Sequence, residues 1–524
     1  MISLGCAKNL VDAEIMLGSL AEEGVEITQD TDNADVVIVN TCSFIDAAQE
    51  ESVDTILETD ALRKGTRKGQ SLIVSGCLPQ RFKKELPKLL PEVDAFIGID
   101  QVSDIPSAVR QAMANRQHKV AKPRKQKASK KQISAQLAEL DQSQPEPTED
   151  PFVDVNTRPH YIPDVNTPRM RLTPKHFTYL KIGEGCNHPC SFCIIPRMRG
   201  SHRSRQQEDI VAEAKRLIKD GVREINLISQ DTTYYGLDLR QNPSRAIASP
   251  ERFTAATNAL PADATTISTL LRELNSLRGD FWIRMLYTHP AHWTEELITT
   301  MRECRKVAKY VDIPLQHIHP TMLQRMRRET SDQYIRDLIQ RIREGVPGIA
   351  LRTTFILGFP GETETHFETL LDFIRETRFE RLGVFTYSQE EKTIAGKMAK
   401  QISDEVKQTR RALAMAEQHD IARELSEAKV GTTMRVLVEQ KATADELQQA
   451  NISSWEHGLI RDEYAEEPAI KGNYLVARSQ ADAPDIDGRV YIKTPARKDI
   501  LPTGRFAKVK IVGHTDYDLI AEPV

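Results

Sequence analysis

The chain of 524 residues has no stretch near the roughly 18 consecutive apolar residues that a membrane-spanning helix needs. Its first residues also lack a basic segment followed by an apolar one, so neither a membrane anchor nor a signal peptide is indicated and a cytoplasmic setting is expected. Charge of one sign is missing as well: 71 Lys and Arg stand against 75 Asp and Glu, a formal net charge of -4, which excludes a general polyanion binder. Cysteine is scarce and odd in number, 7 in all. In a long chain without an export signal that excludes a disulfide framework and leaves metal ligands or free thiols.

The cysteines that are present are not scattered. In Glu184-Gly185-Cys186-Asn187-His188-Pro189-Cys190-Ser191-Phe192-Cys193 three of them take the spacing C-x3-C-x2-C. Three thiolates are one short of the four protein ligands of a structural zinc site or a closed iron–sulfur cluster, so the triad suggests a cubane with one iron open to substrate. The alternative, unrelated thiols or a partial zinc knuckle, is disfavoured by the position of the triad just after an apolar, strand-like run. The spacing resembles that of the radical SAM superfamily. That resemblance implies a [4Fe-4S] cluster on Cys186, Cys190 and Cys193, S-adenosylmethionine on its open iron, and reductive cleavage to a 5′-deoxyadenosyl radical, with the protein holding and orienting the cofactor.

A second triad is spread out. Cys6, Cys42 and Cys77 each follow an apolar run, Met1 to Leu4, Val36 to Val39 and Leu72 to Val74, and helical patterns follow at Leu10 to Glu23 and Ser43 to Leu57. The segment reads as βαβαβ, with a short first strand and the three thiols at the carboxyl ends of neighbouring parallel strands, where open α/β sheets bind ligands. Singly, each would be read as a buried structural cysteine; recurrence at three strand ends favours one shared site. Ser3-Leu4-Gly5-Cys6-Ala7-Lys8-Asn9-Leu10-Val11-Asp12-Ala13-Glu14, with Asn40-Thr41-Cys42 and Ser75-Gly76-Cys77, resembles the N-terminal domain of the methylthiotransferases. The resemblance implies a second, sulfur-donating [4Fe-4S] cluster on Cys6, Cys42 and Cys77.

Domains are expected at 1–115, 172–428 and 429–524, joined by a linker at 116–171. In the linker a basic run, Lys119 to Lys131, precedes an acidic, Pro-rich stretch around Pro145 to Pro151. Such composition buries too little apolar surface to offset its ordering entropy and reads as a disordered tether; a basic arm touching ribosomal RNA is the alternative. A second insertion, Gln241 to Ala264, reads as a surface loop. Between them, Phe177 to Ile182, Glu224 to Ile228, Trp282 to Leu286, Tyr310 to Ile313, Leu351 to Leu357 and Leu382 to Thr386 alternate with amphipathic segments. These are six β/α units, whose functional residues belong at the carboxyl ends of the strands; the resemblance implies a partial barrel rather than an open sheet. Strand-end candidates for cofactor contact are Gln230, Asp231, His289, Gln316 and the turn Gly358-Phe359-Pro360-Gly361-Glu362, whose two glycines would let backbone approach a ligand. For His289 and Gln316 a hydrogen-bonded core or rim role is an equal alternative. Cys304, within Glu295 to Lys306, is read as structural, and no catalytic side chain beyond the cluster ligands is expected.

After a helical segment, Ser403 to Ala428, short strands including Met434 to Glu439, Tyr474 to Ala477, Arg489 to Lys493 and Ala507 to Val512 predict a small antiparallel barrel. It resembles a TRAM domain, a module that binds RNA in many relatives. Here Lys429 to Val524 holds 13 Lys and Arg against 15 Asp and Glu, without the basic excess of a nucleic-acid domain, so RNA contact is expected to be secondary. The runs Asp312 to Ile318, Leu351 to Thr363, Phe385 to Glu391 and Asp482 to Gly488 resemble the methylthiotransferase branch that modifies a ribosomal protein; Lys392 stands where relatives usually have glycine. That branch implies a methylthio transfer to the β-carbon of an aspartate in small-subunit ribosomal protein S-twelve, free or in the assembling subunit. One S-adenosylmethionine would serve as methyl donor and another as radical source, with an external low-potential electron donor such as flavodoxin or ferredoxin. The rival readings are a methylthiotransferase acting on transfer-RNA adenosine and a non-catalytic iron–sulfur electron-transfer or redox-sensing protein.

Overall fold

Stretches rich in β-branched and aliphatic residues make the N-terminal sheet. In the computed structural model, which describes residues 1–121, 151–240, 249–390, 392–442, 453–454, 459–460, 473–494, 501–515 and 517–524, five parallel strands lie side by side in chain order: β1 (Ile2–Ser3), β2 (Val36–Thr41), β3 (Ser71–Gly76), β4 (Ala95–Ile97) and β5 (Phe152–Asp154). Alternate residues face opposite sides, as the period of two requires. Ile38, Ile73, Ala95 and Ile97 pack with the helices Ala7–Glu22 and Ile105–Ala121. Val39, Leu72, Val74 and Phe96 pack with the helix Asp46–Gly65 and the short helices Cys77–Arg81 and Leu86–Leu89. Helices thus cover both faces, as in a doubly wound α/β sheet.

The expected tether is narrower than 116–171. The helix Ile105–Ala121 runs past its start, and residues 151–171 are built into the protein. Phe152 pairs with Ala95 to start β5, the Asp100 carboxylate accepts the backbone N–H groups of His160 at 2.9 Å and Tyr161 at 3.1 Å, and Arg169 joins Glu14 at 2.6 Å to Glu213 at 2.8 Å. A few ladder and charge partners hold this stretch where average composition predicts none. The basic run from Lys122 onward and the acidic stretch to Asp150 lie outside the described residues.

The central domain has six parallel strands, β6 (Phe177–Lys181), β7 (Glu224–Ile228), β8 (Trp282–Met285), β9 (Tyr310–Asp312), β10 (Ala350–Leu357) and β11 (Arg381–Thr386), in two ladders, β8-β7-β6 and β9-β10-β11. Backbone bonds from Ile283 N–H to Lys306 O (2.7 Å) and from Ala308 N–H to Ile283 O (2.8 Å) join the ladders into one arc, and no ladder between β6 and β11 closes it among the described residues. Amphipathic helices cover the outside. Asp332–Gly345 buries Ile335, Leu338, Ile339 and Ile342 on one stripe, each worth about 1.5–3 kcal/mol of transfer free energy. The insertion at Gln241 to Ala264 is not simply a loop: Ser249 caps a helix, Pro250–Asn258, whose Phe253 is buried with its ring 4.3 Å from that of His292. Residues 241–248 lie outside the described residues.

The helix Asp404–Glu427 leads to a closed five-stranded barrel, β12 (Thr433–Ala442), β13 (Tyr474–Ser479), β14 (Val490–Lys493), β15 (Phe506–His514) and β16 (Leu519–Pro523), ordered β12-β13-β14-β16-β15. All its ladders are antiparallel except β14 with β16. The turn after β13 docks under the central arc. Asp487 accepts from Tyr310 Oη at 2.7 Å and lies 3.4 Å from Arg352, Asp482 pairs with Arg381, and Arg478 meets Glu224 at 2.6 Å. No helix among the described residues is long and apolar enough to cross a membrane.

Candidate functional site

Strand ends and glycines place the thiols. Cys6 follows β1 and stands at the N-cap of the helix Ala7–Glu22, Cys42 follows β2, and Cys77 follows β3 and opens a short helix. Gly5 and Gly76 have φ of 82° and 97°. A Cβ on Gly5 would come 2.7 Å from Cys42 Cβ, and one on Gly76 would come 2.6 Å from Thr41 O, so only glycine lets the three strand ends close together. Ser52 Oγ fixes the turn after β2, accepting from Cys42 N at 3.1 Å and donating to Cys42 O at 2.9 Å. The other triad lies on the loop after β6, held by Cys186 N–H to Gly200 O (3.1 Å), Ser191 N–H to Met326 O (3.0 Å) and Cys193 N–H to Cys190 O (3.2 Å).

All six thiols line one cavity of about 290 Å³ between the N-terminal and central domains. None is in a disulfide. The donor set fits iron–sulfur clusters: each group has three thiols and no fourth nearby, because Cys304 ends the helix Glu295–Glu303 in the hydrophobic core. Burial and the neighbouring Cys193 push the Cys186 thiol well up, and burial with Cys190 takes Cys193 to about 12. Burial also raises Cys77, partly offset by Arg199. Loading metal therefore has to displace protons from these sulfurs.

A buried charge network ties the two triads together. Arg199 donates to Asn9 Oδ1 (2.6 Å), to Glu184 Oε1 (3.0 Å) and to Cys77 Sγ (3.3 Å), and Lys181 joins Asp12 (2.5 Å) to Glu184 (2.8 Å). Burial alone would raise the Glu184 carboxyl, but Arg199 and Lys181 outweigh it and hold it well below the usual range. On the other side of the cavity Arg328 donates to Cys190 Sγ at 3.4 Å.

Of the seven strand-end candidates, Gln230, His289 and Gln316 are on the cavity wall and the other four are not. Asp231 is buried and fully engaged: it accepts from the backbone of Thr233 and Tyr234, from Thr233 Oγ1 at 2.6 Å, and contacts His188 Nε2 at 2.9 Å and His292 Nδ1 at 2.7 Å. It orients His188, which lines the cavity, and His292 behind it. Burial brings His188 down to about 4, so it is neutral at pH 7. His289 stacks on His188 at 3.5 Å; its Nδ1 accepts from Ala291 N–H at 3.2 Å, which leaves the ring proton on Nε2, a buried atom without a partner among the described residues. The Gly358 turn serves packing: a Cβ there would come 2.2 Å from Lys407 Cγ, and one on Gly361 would come 3.1 Å from the Arg325 guanidinium. Glu362 accepts from Gly358 N–H at 3.0 Å and from Arg410 at 2.7 Å. Backbone freedom was legible in that turn, whereas the packing of the Lys407 side chain against it was not. Sequence reading passed over Lys8, Arg199, Tyr287 and Arg328, all on the wall; only Lys8, two positions after Cys6, had a local signal.

Comparison with known proteins agrees with this architecture. Residues 1–98 match the uncharacterized protein family UPF0004, 180–374 the radical SAM superfamily and 460–524 the TRAM domain. The ribosomal protein uS12 methylthiotransferase RimO of Opitutus terrae is 50% identical over 530 residues, covering 100% of this chain and 96% of the relative. Its namesake from Akkermansia muciniphila is 44% identical over 524 residues, covering 100% and 99%. Among solved structures, a radical S-adenosylmethionine methyltransferase, TsrM, from Kitasatospora setae aligns at TM-score 0.44 and 13% identity over 72% of this chain and 70% of that one. The chain is an enzyme that transfers a methylthio group using S-adenosylmethionine and [4Fe-4S] clusters. Matched end to end by curated relatives of that kind, it belongs to the ribosomal protein uS12 methylthiotransferase family.

Proposed function

We propose that this chain adds a methylthio group to the β-carbon of an aspartate in small-subunit ribosomal protein uS12, in the reducing cytoplasm and with electrons from a flavodoxin- or ferredoxin-like donor. The observation that carries the reading is the opening of both thiol triads on one cavity, which allows radical formation and sulfur transfer without the substrate leaving. When bound, the clusters and S-adenosylmethionine supply the radical and the methylated sulfur. Radical chemistry suits the target, because an unactivated C–H bond offers no proton that a side-chain base removes at neutral pH.

The chain's own residues assemble and shield this chemistry. Cys186, Cys190 and Cys193 would hold one cluster and Cys6, Cys42 and Cys77 the other. Gln230, His289 and Gln316, all on the cavity wall, would contact S-adenosylmethionine, with the Nε2–H of His289 as a donor. Arg199, bonded to both domains, keeps the triads in register. The test is mass spectrometry of intact small-subunit proteins from cells with and without the gene. A methylthio increment on one uS12 aspartate that disappears with the gene is expected; an unchanged uS12 beside altered transfer-RNA nucleosides would overturn the substrate.

A further inference from the structure

Beside the first triad the cavity wall carries a lysine that has no carboxylate partner among the described residues. Lys8 is 7% exposed and lines the cavity beside Cys6. Among the described residues no carboxylate pairs with it; its Nζ lies 3.1 Å from the centroid of the Tyr287 ring. Of the other wall cations, Arg199 is paired with Asp12 and Glu184 and Arg352 with Asp312 at 2.9 Å, while Arg328, also without a carboxylate partner among the described residues, donates to Cys190 Sγ and Pro314 O beside the other triad. The wall carboxylates are taken too, Asp312 by Arg352 and Glu390 by Arg81. An aromatic face stabilises an ammonium without neutralising it, so the charge of Lys8 remains available to an anion. Backbone polarity adds to it. Lys8 is in the first turn of the helix Ala7–Glu22, which has no acidic residue in that turn and no side-chain cap, so the positive end of the helix points to the same place.

We propose that Lys8 binds the side-chain carboxylate of the peptide substrate and makes the enzyme select aspartate over asparagine. The inference rests on the function proposed above and deepens it. A carboxylate carbon is one bond from the β-carbon, so anchoring it beside Cys6 brings the carbon to be modified next to the first triad. Asparagine, neutral and with an N–H₂ in place of one oxygen, would lose the charge-assisted bond and leave the buried ammonium unpaired.

The experiment uses the full chain, reconstituted with iron and sulfide, and recombinant uS12 carrying either aspartate or asparagine at the target position. Binding is measured with S-adenosylmethionine and no reductant, so that nothing turns over, and kcat/KM for methylthio product is measured with reductant. The wild type is expected to favour aspartate by at least about 100-fold, Lys8→Met to bring the ratio within about threefold, and Lys8→Arg to fall between. A wild type that treats the two proteins alike, or a Lys8→Met enzyme that keeps the preference, would overturn the inference while the proposed function stands. Loss of iron or of S-adenosylmethionine binding in both variants, with the Lys8→Arg preference still at the wild-type ratio, would assign the charge to the cofactors and also overturn it. A wild type that modifies neither uS12 protein would instead remove the function on which it rests.

Discussion

At the scale of single residues, the site depends on atoms that are absent as much as on those present. Gly76 has φ 97°, and a Cβ there would meet Asn40 Oδ1 at 2.5 Å and Thr41 O at 2.6 Å. Gly76→Ala is therefore expected to lose about 1–3 kcal/mol of stability and to load less iron, read by urea unfolding and by iron analysis. Glu184 is the reverse case, a carboxylate serving two buried cations. Glu184→Gln leaves Lys181 and Arg199 short of charge, and about 3–5 kcal/mol of destabilisation is expected by the same unfolding measurement. Residue-level reading was sharpest for the cysteines, because three thiols at fixed spacing have few other uses. It was weakest where neighbours diverge: Gln230 faces the cavity while Asp231, next to it, turns inward to the histidines, and no spacing rule separates two consecutive residues at a strand end.

Elements carry the division of labour between the triads. One is a single loop after β6 and the other collects the ends of β1, β2 and β3, so their losses should differ. Alanine at Cys186, Cys190 or Cys193 is expected to abolish 5′-deoxyadenosine formation. Alanine at Cys6, Cys42 or Cys77 should leave some cleavage and no methylthio product, both read by chromatography of reaction mixtures. The strands themselves were legible because buried parallel strands are near-continuous apolar runs. The helix Pro250–Asn258 was not: its composition is that of a loop, and its buried aromatic, Phe253, finds Tyr234 and His292 from other segments. Phe253→Ala should cost about 3–5 kcal/mol by the same unfolding measurement, whereas a side chain in a surface loop would cost almost nothing.

For the whole molecule, the joint between the barrel and the central arc is ionic and buried, and its response to acid follows. Burial would raise the Glu439 carboxyl, but Arg478 and then His176 outweigh it and bring it to about 2, from an ordinary 4.5. A depressed folded-state value contributes stability above the unfolded value and loses it as pH falls through the folded one. Glu439 should thus contribute about 3 kcal/mol above pH 4.5 and almost nothing near pH 2. Urea midpoints of wild type and Glu439→Gln are expected to be well separated at pH 6 and to converge toward pH 2; a gap that does not change with pH would refute the assignment.

Local pattern, by itself, determined most strand and helix segments, the two thiol triads and the small terminal barrel, and it carried the family resemblance, which alone implied that the six β/α units form a partial barrel. These are properties of periodicity and of residue types whose chemistry is narrow. Tertiary structure alone decided that both triads share a cavity, that residues 151–171 belong to the fold, that the Lys407 side chain packs against Gly358, and that Lys8 has no carboxylate partner among the described residues. Each of these depends on which distant groups meet and which charges are already paired, and that balance is settled only when the whole chain has packed.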